Sequence, residues 1–333
     1  MTYMDRRTFL AAAATTVGAA ALPRSLSAAR SGGGVVALVT ADLESHIVAV
    51  ETATGRVVKR IATAPGPRSI ESNAFGQVVV AHTAHGKLSV IDAATLTVVG
   101  EIAGLGEPRN TTMHPFERLA YVSEARRGAV AVIDLVRRKV VARVDVRGHA
   151  RHLSLSDDGK QLWIALGTKA KRVAVVDVSD PHRPRLLETV TPPFLIHDVA
   201  WAPGGGHIWV TSGTRNAVAI YVRGETEPTA ILGADAPPQH IAFSSSRVYV
   251  ASGEDGTVRV HRLDGRAVGA PSSIPEGSYN ISFAGAAATF GRPIAVTPSL
   301  DRGTVCLLRP TGEVQIVRKV ARSAHDACVV EAG

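Results

Sequence analysis

Short apolar runs recur along almost the whole chain, separated by stretches rich in Gly, Asp, Asn, Ser and Pro. Representative runs are QVVVAH (77–82), HIWVTS (207–212) and RVYVAS (247–252). Runs of Val, Ile and Tyr bounded by turn residues are the usual signature of β-strands. Helix is expected only within residues 5–22, so the pattern predicts an all-β protein.

The apolar runs repeat in units of 40 to 46 residues. Each unit begins with a polar pair followed by a less polar residue, as in PRSI (67–70), PRNT (108–111) and IHDV (196–199). Four short strands then follow, and four strands per unit of about 40 residues are typical of a β-propeller blade. The first residues of the polar pairs form a series of seven: Arg68, Arg109, Arg151, His197, Gln239, Tyr279 and His325.

The two ends of the repeat region complete one further blade. The N-terminal side supplies three strands, in VVALVTAD (35–42), SHIVAV (45–50) and GRVVKRI (55–61), and the C-terminal side supplies one, in HDACVVEA (325–332). Pairing of the terminal strands would close the ring and remove the exposed sheet edges. We therefore predict one seven-bladed propeller domain of four-stranded antiparallel blades over residues 35–333.

The repeat resembles a known family. The segment LAYVSEARRGAVAVIDLVRRKVVARVDVRGHARHLSLSDDGKQLWIAL (119–166) is similar to the YVTN-type repeat of seven-bladed bacterial propellers, which belong to the lactonase-like propeller superfamily. The resemblance extends over residues 35–333. It implies the seven-bladed fold, but propellers carry many different functions on one frame.

The recurring polar pairs predict a functional site. In a propeller the first strand of each blade lines the central channel, so the seven pairs should meet at one mouth of that channel. The first residues of the pairs, named above, form an outer ring; the second residues form an inner ring, which consists of Ser69, Asn110, His152, Asp198, His240, Asn280 and Asp326.

Two interpretations of these rings stay open. The polar side chains could satisfy the ends of the strands and hold channel water, because buried polar groups need partners. Alternatively, the three arginines on successive blades could bind a carboxylate or phosphate. On the second interpretation the ligand-binding residues are Arg68, Arg109, Arg151, His197, Gln239, Tyr279, His325, Asn110 and Asn280.

A metal site is a further alternative at the same mouth. His152, Asp198, His240 and Asp326 share one register, and His and Asp are ordinary ligands of transition metals. The cofactor is otherwise unknown, and a divalent metal ion is the one candidate. A second histidine pair, His82 and His85, is expected in a solvated loop.

An enzymatic role is also considered. The chain contains no G-x-S-x-G, P-loop or Cys-x-x-Cys motif, which favours a binding module over an enzyme. If the protein is a hydrolase, the resemblance to lactonase-like propellers implies that channel-mouth His, Arg and acidic residues open a cyclic ester. The candidates are then His197, Arg151 and Asp198.

Charge limits the class of partner. The formal net charge is +8 and the isoelectric point about 9.9. A basic protein favours a small anionic ligand or an acidic partner protein, and nucleic acid binding through a basic surface is an alternative. We expect a monomer. Cys306 and Cys328 lie in apolar strands and are expected to behave as small buried hydrophobes, although a disulfide between them stays open.

Residues 1–30 have the features of an export signal. Arg6 and Arg7 precede a weakly apolar, alanine-rich run that ends in small residues. The run is shorter than the roughly 20 residues of a membrane span. This pattern predicts a twin-arginine-type signal peptide, followed by a Gly-rich linker at 31–34 and an exported protein in the periplasm or outside the cell.

The predicted function is therefore that of an exported propeller binding module with an anionic ligand or partner at the channel mouth. The alternatives are a lactonase-like hydrolase or metal-dependent enzyme, and a nucleic-acid-binding protein.

Overall fold

Seven four-stranded antiparallel sheets form the fold, which is the predicted seven-bladed β-propeller. The computed structural model describes residues 34–285, 289 and 291–333. The predicted signal peptide lies outside the described residues, and the domain boundaries assigned from the sequence stay predictions. In the described part of the chain, helix is confined to one 3-10 turn at Thr83–His85.

Each blade contributes one strand to each of four concentric positions. The innermost strands are β4 (Pro67–Ser72), β8 (Pro108–Met113), β12 (Leu153–Leu155), β16 (Ile196–Trp201), β20 (Ile241–Phe243), β24 (Ser282–Ala284) and β28 (Ala327–Glu331). The second strands are β1 (Val35–Ala41), β5 (Gln77–His82), β9 (Leu119–Glu124), β13 (Gln161–Ala165), β17 (His207–Ser212), β21 (Arg247–Ser252) and β25 (Ile294–Pro298).

The outer half of each blade follows the same plan. The third strands are β2 (His46–Glu51), β6 (Lys87–Asp92), β10 (Ala129–Asp134), β14 (Val173–Asp177), β18 (Ala217–Val222), β22 (Thr257–Arg262) and β26 (Thr304–Leu308). The outermost strands are β3 (Val57–Ala62), β7 (Thr97–Ile102), β11 (Lys139–Asp145), β15 (Arg185–Val190), β19 (Ala230–Gly233), β23 (Ser272–Ser273) and β27 (Val314–Lys319).

The core lies between the blades. Among the described residues, seven clusters of buried apolar side chains are present, one between each pair of neighbouring sheets. Because both faces of a blade are covered, the central positions of the second and third strands are mostly apolar; every residue of β9 and β10 is buried. The outermost strands alternate instead between exposed and partly buried residues, as in β7.

The terminal strands close the ring as predicted. Strand β28 pairs antiparallel with β1, with Leu38 opposite Cys328. At the end of this pairing the Thr40 amide donates to the Asp326 carbonyl over 2.9 Å, and the Asp326 amide donates to Thr40 Oγ1 over 2.9 Å. Closure therefore depends on hydrogen bonds between residues 286 positions apart.

Both cysteines are buried and free. Burial raises the pKa of the Cys306 thiol to about 12 and that of Cys328 well above its usual value. They act as small apolar side chains of the core. Within the described residues, no helix is long and apolar enough to span a bilayer.

Candidate functional site

The polar pairs lie at one mouth of the channel because the innermost strands are irregular there. In β4, β8 and β16 the pairing with the second strand shifts register at the pair, between Pro67 and Ser69 in the first case. In three of the other four blades the pair comes directly before the strand begins, and in the fourth Ile281 separates the pair from β24. A bulged or unpaired residue is free to turn its side chain away from the sheet, and here it turns toward the channel.

These side chains line a cavity of about 290 Å³. All seven residues of the predicted outer ring line it, and so do six of the inner ring, the exception being Asp198. Loops between the second and third strands add further groups that the sequence analysis missed, among them Lys169 and Glu254.

The three predicted arginines, Arg68, Arg109 and Arg151, form one positively charged arc, called here the arginine arc. The Nε atoms of Arg109 and Arg151 are buried and have no hydrogen-bond partner among the described residues. Burial, followed by the charges of Arg109 and Arg68, lowers the pKa of Arg151 to about 10. Burial, followed by the charge of Arg109, also lowers the pKa of Arg68.

The acidic partner of the arginine arc is Glu107, which the sequence analysis did not identify. Arg109 Nη2 donates to Glu107 Oε1. Glu107 has a φ of 63°, in the left-handed region that non-glycine residues rarely adopt. Of the two acids of the inner ring, Asp198 contacts a histidine and Asp326 contacts backbone amides, as described below. The arc thus has more positive charge than its direct carboxylate contact neutralises.

Three inner-ring residues link neighbouring blades. Asn110 Oδ1 accepts from the amide of Leu153 over 3.1 Å, and Asn280 Nδ2 donates to the carbonyl of His325 over 2.6 Å. Asp326 Oδ2 accepts from the amide of Ile70 over 3.1 Å. These contacts give Asn110, Asn280 and Asp326 structural roles, in keeping with the first interpretation of the rings.

Burial also changes the acidity of the channel carboxyls. Burial is the largest of the causes that together raise the pKa of Asp326 to about 6. Deeper in β4, Glu71 lies two residues beyond Ser69 on the same face of the strand. Burial, and then the charge of Asp326, raise its pKa to about 8.

Three histidines, His152, His197 and His240, meet beside the arginine arc and are called here the histidine cluster. The ring of His152 lies 4.8 Å from that of His197 and 4.5 Å from that of His240, measured between centroids. The candidate nitrogens of the three rings all lie within 4.8 Å of one another. The structure therefore brings His152 and His240 of the expected metal set together with His197.

Hydrogen bonding distinguishes the members of the cluster. Nδ1 of His240 donates to Asp198 Oδ2 over 3.0 Å. Asp198 thus contacts His240, and the combination of His197, Arg151 and Asp198 considered for lactone opening is not hydrogen-bonded as a unit. Both ring nitrogens of His152 are buried without a partner among the described residues.

The rings of His152 and His197 are neutral at neutral pH. Burial lowers the pKa of His152 well below its usual value, and the charges of His240 and His197 lower it further. Burial, followed by the charge of His240, lowers the pKa of His197 to about 3. A neutral imidazole keeps a lone pair on one nitrogen, so these side chains can act as hydrogen-bond acceptors or metal ligands.

Two other predicted residues have contacts that hold loops and strands. Gln239 Oε1 accepts from the Gly253 amide over 2.8 Å, and His325 Nδ1 donates to the Arg68 carbonyl over 3.1 Å. Tyr279 lines the cavity. His82, expected in a solvated loop, instead ends β5 and is fully buried, with its ring nitrogens near Pro65 O and Ser89 Oγ.

Comparison with known proteins supports the architecture. The model of the cytochrome D1 heme domain family matches residues 70–189, less than half of the chain. Hydrazine synthase from Kuenenia stuttgartiensis has a similar structure, with a TM-score of 0.70 and 18% identity over 82% of this chain and 91% of that chain. No curated protein matches the chain.

A second solved structure is also similar. A functionally unknown protein from Desulfotomaculum acetoxidans DSM 771 superposes with a TM-score of 0.75 and 14% identity, over 90% of this chain and 99% of that chain. At these identities the likenesses show the propeller fold alone.

The family match raises the question of whether a haem fits the histidine cluster. In haem proteins the macrocycle occupies the equatorial positions of the iron, and the protein supplies axial ligands. Here three imidazoles converge on one point and their rings are in contact. No slot for a macrocycle separates them, so the cluster does not fit a haem.

Proposed function

We propose that this chain is an exported seven-bladed propeller of the YVTN type that binds a small anion at its channel mouth. The observation that carries the proposal is the arginine arc: three guanidinium groups on successive blades line one cavity. Glu107 is the carboxylate in hydrogen-bond contact with the arc. The ligand class is a carboxylate, phosphate or sulfate, because guanidinium groups bind these oxyanions through paired, charge-assisted hydrogen bonds.

Burial favours binding at this place over the general basic surface. The Nε atoms of Arg109 and Arg151 are shielded from water, and buried donors without partners are costly. An anion that reaches these donors after a rotation of the arginine side chains would recover that cost. Screening by salt is also weaker for partly buried pairs than for exposed charges. The cavity, at about 290 Å³, suits a small molecule rather than a polymer.

Arg151→Ala is the sharpest test, because Arg109 already contacts Glu107. Binding of inorganic phosphate, sulfate and malonate would be measured by titration calorimetry on the mature protein after dialysis against a chelator. Loss of one charged donor should weaken binding by about 1.5–3 kcal/mol, or about 10- to 150-fold. Arg266→Ala is the matched control, since Arg266 is 80% exposed and its loss changes the net charge equally.

Two results would contradict the proposal. One is an equal affinity in Arg151→Ala and the parent; the other is no binding of any of the three anions. Binding of duplex DNA that falls steeply with salt and is insensitive to Arg151→Ala would instead favour nucleic-acid binding through the basic surface.

A further inference from the structure

The histidine cluster has the arrangement of a metal site. We propose that His152, His197 and His240 bind one divalent transition-metal ion, with zinc as the reference case, and that an open coordination position of this ion faces the anion cavity. The metal site itself is independent of the proposed function. The proposal that an anion fills the open position rests on the proposed function.

The distances are close to those of a bound ion. Imidazole nitrogens lie about 2.0–2.1 Å from zinc, so two ligands of a tetrahedral ion are about 3.4 Å apart. The nitrogens of His152, His197 and His240 lie within 4.8 Å of one another. An approach of up to about 1.5 Å between the most distant pair, by rotation of the side chains, brings the nitrogens to this separation.

His152 provides the second observation. It is 9% exposed, and neither ring nitrogen has a partner in the described part of the chain. Other buried histidines of this protein are hydrogen-bonded: His82 contacts Pro65 O and Ser89 Oγ, and His261 contacts Gly265 O. An unpartnered buried imidazole at a point where two others converge is explained by a ligand that accepts its lone pair.

His240 is oriented as metal-binding histidines usually are. Its Nδ1 donates to the Asp198 carboxylate over 3.0 Å, which leaves the lone pair on Nε2. A carboxylate behind a histidine fixes the ring and raises its basicity as a ligand. Asp198, expected from the sequence as a ligand itself, is thus assigned a positioning role.

The ligand set selects the class of metal. Three imidazoles without a thiolate suit zinc, copper, nickel or iron rather than magnesium or calcium. Three protein ligands leave at least one position for water or another small ligand. Because the histidine cluster and the arginine arc line the same cavity, an oxyanion held by the arginines can complete the coordination.

The metal site is tested without any added anion. Mature protein, freed of metal by dialysis against a chelator, is titrated with ZnCl₂ by calorimetry and with CoCl₂ by visible absorption. We expect one ion per chain. His152→Ala and His197→Ala should each weaken binding more than about 100-fold, beyond the range for loss of an outer partner, and Asp198→Asn should weaken it about 10- to 100-fold. His182→Ala removes an exposed histidine and should leave the affinity unchanged.

The refuting results are distinct. Failure to bind zinc or cobalt, or parent-like affinity in the two alanine variants, overturns the metal site. Thermal melting monitors folding; if an alanine variant does not fold, His240→Gln replaces it, and parent-like affinity there has the same consequence.

The coupling between metal binding and anion binding is tested in a separate experiment. Sulfate affinity is measured with and without bound zinc, and we expect at least about 5-fold tighter binding in the zinc form, the lower end of usual coupling between sites. Equal sulfate affinity in both forms overturns the shared coordination and leaves the proposed function standing. Zinc binding with no anion binding in either form overturns the proposed function and leaves the metal site standing.

Discussion

The Thr40 hydroxyl is expected to hold the closing blade together, and Thr40→Val tests this. Thr40 is fully buried in β1, and its Oγ1 accepts from the Asp326 amide over 2.9 Å. It also lies 3.1 Å from Arg68 O, to which it can donate. Valine keeps the shape of threonine but removes both functions, so the packing of the blade should be preserved.

The magnitude follows from which group loses its partner. The Arg68 carbonyl keeps the bond from His325 Nδ1, and the Asp326 carbonyl keeps the bond from the Thr40 amide. The Asp326 amide alone is left without a partner, which costs about 1–3 kcal/mol. In a domain of this size each kcal/mol shifts the melting temperature by about 2 °C, so a fall of about 2–6 °C is expected.

Urea unfolding followed by tryptophan fluorescence, together with thermal melting, measures the effect. Thr97→Val is the matched control, because Thr97 is exposed on the outermost strand β7 and its substitution should change stability by less than about 0.5 kcal/mol. If the two variants were equally stable, the hydrogen bonds across the closure would contribute nothing measurable and the reasoning would be wrong.

Three further predictions follow from the same features. The pKa of Glu71 is raised to about 8 from 4.5, so between these values the folded state holds a proton that the unfolded state has lost, and stability should fall as pH rises from about 5 to 8. Glu71→Gln should remove this contribution and stabilise the protein by on the order of 3 kcal/mol at pH 7. Urea unfolding at several pH values measures both effects. Deletion of residues 324–333 removes β28 and should lower the melting temperature of the whole propeller, whereas unchanged melting would exclude a role in closure. Replacement of Arg6 and Arg7 by lysine should leave uncleaved precursor inside the cell, and normal secretion would assign the protein to another export route.

The sequence was sufficient to predict the propeller because its evidence is local and repeated. Runs such as QVVVAH and HIWVTS coincide with β5 and β17, since the central positions of strands covered on both faces are mostly apolar. The β1–β28 pair was predicted because the N-terminal blade lacks a first strand and the C-terminal segment supplies a single strand. Pairing the two removes an unfavourable unpaired sheet edge.

The placement of the polar pairs at one mouth was also predictable, but their contacts were not. Asp198 and His197 are adjacent in sequence, yet Asp198 binds His240 of the next blade while the ring of His197 stacks on His152 of the preceding one. The register shift in β16 between Ile196 and Val199 separates the two side chains. Nothing in the local sequence specifies that shift.

What the sequence by itself determined is therefore the repeat, the number of blades and the ring of residues that faces the channel. Tertiary structure decided which members of that ring meet: Glu107 reaches Arg109 through a left-handed turn, and three histidines from three blades converge. The period of apolar residues shows which positions of a strand are buried, and this period can be read directly from the sequence. Convergence across a channel depends on the diameter of the closed ring and on local bulges, which exist only once all seven blades have packed.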